Sequence, residues 1–152
     1  MKKNNHIKFI LKWSTILSVL YLIWVGFLYF TQESLIFFPI KEEITKPQNE
    51  LVEEVTFKNS EGARLHGFYL QVPEPQGTVL FFHGNAGNVS HRIDQLSVFK
   101  SLKLNALIFD YQGYGESTGE ISSEVDFYSD GWAALQFLET EKNIPKENII
   151  LW

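Results

Sequence analysis

The chain has 152 residues, 45% of them hydrophobic and 15% aromatic, enough for one domain with a core. Lys2, Lys3, Lys8 and Lys12 stand at the front; beyond them nine basic residues face eighteen acidic ones, a balance that excludes a nucleic-acid footprint. With no cysteine, disulfides, a thiolate nucleophile and cysteine-held metal are excluded as well.

Residues 1–12 read as a basic tail. From Trp13 to Gln32 the chain carries no charge, and about 20 mostly apolar residues suffice for a membrane-spanning helix. Trp13 and Tyr29 lie toward its two ends, where amphipathic rings favour the interface. The four lysines precede the run, whereas Glu33, Glu42 and Glu43 mix with Lys41 and Lys46 after it. The positive-inside rule then places the N-terminus in the cytoplasm and the rest across the membrane. A cleaved signal peptide would have a shorter apolar region followed by small residues, whereas this run closes on Phe27-Leu28-Tyr29-Phe30. A buried core helix would rarely run so long without a charge. The expectation is an uncleaved single-pass anchor, with the lipid bilayer as its partner.

Residues 33–50 form a connector: the apolar Ser34–Ile40, then a polar stretch with Pro47. Residues 51–152 are assigned to the folded domain. Leu51 to Lys58 alternates, with Leu51, Val55 and Phe57 on one face of a strand. Asn59–Gly62 is a turn, and Arg64 to Val72 completes a hairpin. Thr78 to Phe82 is a continuous apolar run suited to a strand buried on both faces. A Gly-rich loop, 83–88, leads to a helix over 89–102. Ala106 to Phe109 is a second buried strand, followed by a loop holding Gly113, Gly115 and Gly119. Ser122 is the predicted cap of a helix running to about Glu141, with Trp132 and Leu135 in the core. Asn148 to Trp152 is a third apolar strand. A hairpin followed by alternating strands and helices predicts a doubly wound, mostly parallel α/β sheet.

Three stretches carry a resemblance to a known family: SLIFFP at 34–39, FFHGNAGN at 81–88 and FDYQGYGESTG at 109–119. They resemble segments of α/β-hydrolases, specifically the membrane-anchored serine hydrolases of the fungal bud-emergence type. The resemblance implies the N-terminal half of an α/β-hydrolase sheet behind one transmembrane helix, with ester or thioester hydrolysis as the family activity. It implies that the backbone N–H of Asn85 is an oxyanion-hole donor, with Gly84 and Ala86 shaping that turn. On the residues alone, Gly84 and Gly87 serve equally well to permit a tight strand-to-helix turn. In this motif the histidine, here His83, is structural rather than a base.

Gly115-Glu116-Ser117-Thr118-Gly119 matches the nucleophile-elbow pattern G-x-S-x-G. That chemistry needs the serine on a sharp turn directly between strand and helix. Ser117 instead lies seven residues beyond Asp110, inside a loop. The fold's triad order is Ser, acid, His, yet His6, His66, His83 and His91 all precede Ser117. Ser117 is therefore a weak candidate nucleophile, and no catalytic triad is assignable. In the family, the strand resembling 148–152 leads into the elbow. The expectation is a truncated or split hydrolase, inactive alone, with a complementing C-terminal chain as partner. A non-catalytic tethered module and a small hydrolase using Ser117 are the alternatives. No cofactor is expected, and the histidines show no recognisable metal spacing.

Overall fold

The computed structural model describes residues 2–41 and 45–152, with side chains described from His6 onward. Glu42 and Glu43, and the side chains of Lys2 and Lys3, used above in reading topology, lie outside the described residues. The chain forms two compact units, divided between Ile36 and Phe37.

The first unit is one helix, α1 (Lys2–Ile36). Within it His6–Ile36 is long and apolar enough to cross a membrane. The helix outruns the uncharged stretch at both ends. Most of its leucines, aromatics and isoleucines are exposed.

The second unit spans Phe37–Trp152 and holds β1 (Phe38–Pro39), β2 (Val52–Lys58), β3 (Arg64–Leu70), β4 (Thr78–Phe81), β5 (Ala86–Gly87), α2 (Ile93–Ser101), β6 (Asn105–Phe109), α3 (Glu124–Thr140) and β7 (Ile149–Leu151). Among the described residues, five strands form the main sheet in the order β2-β3-β6-β4-β7. The hairpin β2–β3 is antiparallel and joins β6 antiparallel; β6, β4 and β7 run parallel. The hairpin turn is set by Asn59, whose side-chain oxygen accepts from the N–H groups of Glu61 and Ala63.

The apolar runs read as buried strands because alternate residues feed two cores. Leu65, Tyr69, Leu80, Leu107 and Phe109 face one side, where α3 covers them with Ala133, Ala134, Phe137 and Leu138. Phe68, Leu70, Val79, Phe81, Ala106 and Ile108 face the other, covered by Leu96 and Phe99 of α2. Gly67 is required where β3 meets β6: a Cβ there would lie 2.4 Å from the Ile108 carbonyl oxygen.

Several expectations need correction. Leu51 precedes the strand in a turn and packs with Val52 on the α2 side, away from Val55 and Phe57. The helix predicted over 89–102 begins as a 3₁₀ turn, Val89–Arg92, opened by an Asn88 capping box. The cap of α3 is Ser123, not Ser122. The Asp126 carboxylate accepts from both serine N–H groups and the Ser122 hydroxyl, so Ser122 supports the box from outside. Trp132 is 59% exposed rather than core, because its face of α3 overhangs a groove beside β7. The folded unit also reaches back before Leu51. Phe38–Pro39 pairs in parallel with Ala86–Gly87, and the Ile40 carbonyl accepts from the Gly115 N–H.

Candidate functional site

The crossover through α2 leads from β4 to β6 on one side, and that through α3 leads from β6 past β4 to β7. The two helices cover opposite faces and the strand order reverses at β4, so the carboxyl ends of β4 and β7 flank a switch point, where open α/β sheets bind ligands. The loop His83–Asn88 leaves β4 there, beside the loop that begins at Asp110.

Three successive carbonyls of the first loop are tied inward. The Tyr111 hydroxyl donates to His83 O at 3.1 Å. His83 Nδ1 meets Gly84 O at 2.6 Å. Tyr114 Oη donates to Asn85 O at 3.0 Å, and the Phe38 N–H donates to the same oxygen at 2.9 Å. In a trans peptide the N–H lies opposite the preceding carbonyl. Gly84, Asn85 and Ala86 therefore carry N–H groups turned away from those partners, on a stretch that is itself exposed. Gly87 adopts φ +85°, which lets the chain turn into the Asn88 cap.

Beneath the loop the polar groups are buried. His83 packs its ring against Tyr111 and Tyr114. Its Nε2 lies 3.5 Å from Oδ1 of Asp110, which accepts the Val89 N–H at 2.9 Å. His83 is thus held between two loops, far from the role of a mobile base. Burial pushes the Tyr111 hydroxyl well above the ordinary phenol range, and it pushes Tyr114 up too, so both remain donors at neutral pH.

Ser117 is buried. Its Oγ donates to Asp110 O at 2.8 Å and accepts from His66 N at 2.9 Å. It occupies a bend between Tyr114 and Thr118, not a strand–turn–helix junction. Its hydroxyl braces β3 against the end of β6. The structure therefore brings Gly84, Asn85 and Ala86 together at the switch point and sets Ser117 apart as a strut.

Sequence reasoning missed three arrangements. Tyr111 and Tyr114 hold the loop carbonyls; their spacing in DYQGYG was the available signal. Asn59 donates to Asp130 Oδ1 at 2.7 Å, and the Gln112 N–H donates to Asp130 Oδ2 at 2.7 Å, joining the hairpin turn, the second loop and α3. Burial raises the Asp130 carboxyl above its usual range, and these two hydrogen bonds offset that only in part. Finally, Glu54, His66 and Glu116 converge, with one ligand atom from each lying within 4.8 Å of the others.

Next to the loop, an apolar groove of about 440 Å³ runs between β7 and α3. Leu80, Phe82, Tyr111, Phe127, Trp132 and Leu151 contribute to its walls. Along β7 the side chains of Ile150, Leu151 and Trp152 are exposed.

No family model matches the chain. It is 34% identical over 155 aligned positions to the protein bem46 of Schizosaccharomyces pombe, which covers 94% of this chain and 52% of that protein. It is 32% identical over 131 to the α/β hydrolase domain-containing protein WAV2 of Arabidopsis thaliana, covering 80% of this chain and 42% of that protein. The chain thus spans about half the length of these curated relatives. Among solved structures, an α/β hydrolase from Vibrio vulnificus superposes with TM-score 0.60 at 30% identity, over 68% of this chain and 35% of that one. The Pyrococcus furiosus esterase Pf2001 superposes with TM-score 0.62, over 76% and 46% respectively; at 18% identity it shows the shared fold alone.

Proposed function

The chain belongs to the α/β-hydrolase family, and we propose that it supplies the membrane anchor and the oxyanion-binding half of a serine hydrolase acting on esters or thioesters. The observation that carries this reading is the set of three inward-tied carbonyls at His83, Gly84 and Asn85. Acyl transfer builds negative charge on the substrate carbonyl oxygen, and prearranged N–H donors stabilise it without reorganising during reaction. The Asn85 N–H is the principal donor in this reading, with Gly84 and Ala86 shaping the turn. The tyrosines hold the peptide planes in register.

The nucleophile, the acid and the histidine base come, on this proposal, from the half of the relatives' length that this chain does not span. That half enters beside β7: its next strand pairs along the exposed edge, and its nucleophile-bearing helix fills the apolar groove. Alone, the chain is inactive. On this proposal the N-terminus lies in the cytoplasm and the folded unit on the opposite side of the membrane, a reading supported by the four lysines that precede the apolar run.

The test has two arms. Coding sequence downstream of the chain, in any frame, is expected to contain G-x-S-x-G followed by an acid and a histidine; unrelated coding sequence there overturns the proposal. The folded chain alone is expected to resist a fluorophosphonate probe. Labelling that disappears in Ser117→Ala, in protein shown to be folded, overturns it too. In the joined protein, Tyr114→Phe frees one tie on the Asn85 carbonyl. It is expected to lower kcat on the order of tenfold with little change in KM, less than the ~10²–10³ lost when a whole donor is removed.

A further inference from the structure

We propose that Glu54, His66 and Glu116 form a binding site for a divalent cation of the zinc class, clamping the β2–β3 hairpin to the loop between β6 and α3. The three come from separate segments. Glu54 lies on β2, His66 on β3, and Glu116 in the loop that also carries Tyr111 and Tyr114. Hairpin register sets the first pair: Thr56 faces His66 and Glu54 faces Phe68, so Glu54 and His66 are diagonal neighbours on one face of the sheet. Ser117, next to Glu116, holds its loop against the His66 backbone.

His66 is the built part of the site. Its side chain is 1% exposed, with its ring edge to face against Phe68, and Nε2 points toward both carboxylates. Nε2 lies 3.0 Å from Glu54 Oε1 and 4.0 Å from Glu116 Oε2. A single N–H on that nitrogen serves Glu54, and at 4.0 Å it leaves Glu116 beyond hydrogen-bond reach. A cation satisfies all three at once. Zinc bound at about 2.0–2.2 Å to each ligand spaces tetrahedral donors roughly 3.3 Å apart. The observed spacings bracket that value. Glu116 is partly exposed and sits on a loop, so the inward shift falls to it. The solvent side, between the two carboxylates, leaves the fourth position to water. One imidazole and two carboxylates suit zinc better than magnesium or calcium, which favour all-oxygen shells.

Lys46 competes for the site. Its Nζ lies 2.6 Å from Glu54 Oε2, and its side chain is largely exposed, free to swing into solvent.

The full chain in detergent, stripped with chelator, is titrated with Zn²⁺ by calorimetry and with Co²⁺ by visible absorption. One ion per chain is expected, with the intense d–d bands of four-coordinate cobalt and a higher melting temperature when Zn²⁺ is bound. Glu116→Gln and Glu54→Gln are each expected to weaken binding roughly tenfold or more. His66→Gln is expected to abolish it; because that ring is buried, the two partly exposed carboxylate variants keep the test decisive if His66→Gln fails to fold. Lys46→Ala is expected to tighten binding several-fold by removing the competitor. Binding that both carboxylate variants leave unchanged places the metal elsewhere and overturns the proposal. So does the absence of Zn²⁺ binding by the parent chain, or weaker binding by Lys46→Ala.

Discussion

Ser117→Ala separates a structural serine from a catalytic one by a measurement of stability. Asp110 N donates to His66 O at 2.8 Å, one half of an antiparallel pair. The other half is relayed: His66 N donates to Ser117 Oγ, and that hydroxyl donates to Asp110 O. All three residues are buried. Alanine leaves one backbone N–H and one carbonyl without this partner. Each unmade buried group costs about 1–3 kcal/mol. The strands are pinned on either side, so His66 N and Asp110 O close on each other only in part, and the expected loss is about 2–3 kcal/mol. For a folded unit of this size that lowers Tm by roughly 10 °C. Circular-dichroism melting of parent and variant reads the shift directly. A catalytic serine on an elbow would give the opposite result. A variant melting within about 2 °C of the parent refutes the strut assignment.

Asp130→Asn sets an amide NH₂ against either the Asn59 or the Gln112 donor, and urea unfolding is expected to show a loss of about 1–3 kcal/mol. The folded Asp130 carboxyl titrates above its unfolded value, so the parent's advantage shrinks as pH rises through that raised value. Asp126 behaves the other way. Burial acts to raise it, but the Ser122 and Ser123 hydrogen bonds prevail and hold it below 3.8. Asp126→Ala is expected to cost about 1 kcal/mol near neutral pH. That gap closes as pH falls below about 4 and through the lowered folded value, measured by urea unfolding at several pH values. Because the chain has no cysteine, Ser60→Cys on the exposed hairpin turn gives a clean topology probe. A membrane-impermeant maleimide is expected to label it from outside intact cells; labelling only after lysis overturns the proposed orientation.

Most strands were legible because their two-sided burial writes itself as unbroken apolar runs, at Thr78–Phe81 and Asn105–Phe109 above all. The turn at Asn59–Gly62 was equally plain, since an Asn side chain bonding its own backbone is a local device. What local pattern does not carry is which neighbour each face meets. Trp132 has the spacing of a core residue, but spacing places it on a face and does not say whether another layer covers that face. Leu51 has the parity of Val55, but the turn before β2 rotates it to the other side of the sheet. The buried Asn59–Asp130 bond spans 71 positions, and Glu54, His66 and Glu116 meet across two loops. Only the hairpin register, once set, places Glu54 beside His66.

The same distinction explains how G-x-S-x-G arises here without its usual chemistry. Gly115 and Gly119 both take positive φ, so each glycine serves the backbone of a compact loop. At Gly119 a Cβ would also crowd Gln112, whose N–H holds Asp130. Between them the serine sits where a small hydroxyl both accepts and donates, completing a strand pair that β6 leaves open at Asp110. An elbow strains the backbone to expose its hydroxyl at the top of the sheet. This loop instead buries the hydroxyl to hold Asp110. Asp110 in turn accepts the N–H of Val89, just past the His83–Asn88 turn. Ser117 thus reaches the proposed oxyanion site through the geometry it imposes, by way of Asp110 and the 3₁₀ turn that closes the His83–Asn88 loop. Its loss should therefore loosen that loop as well as the sheet.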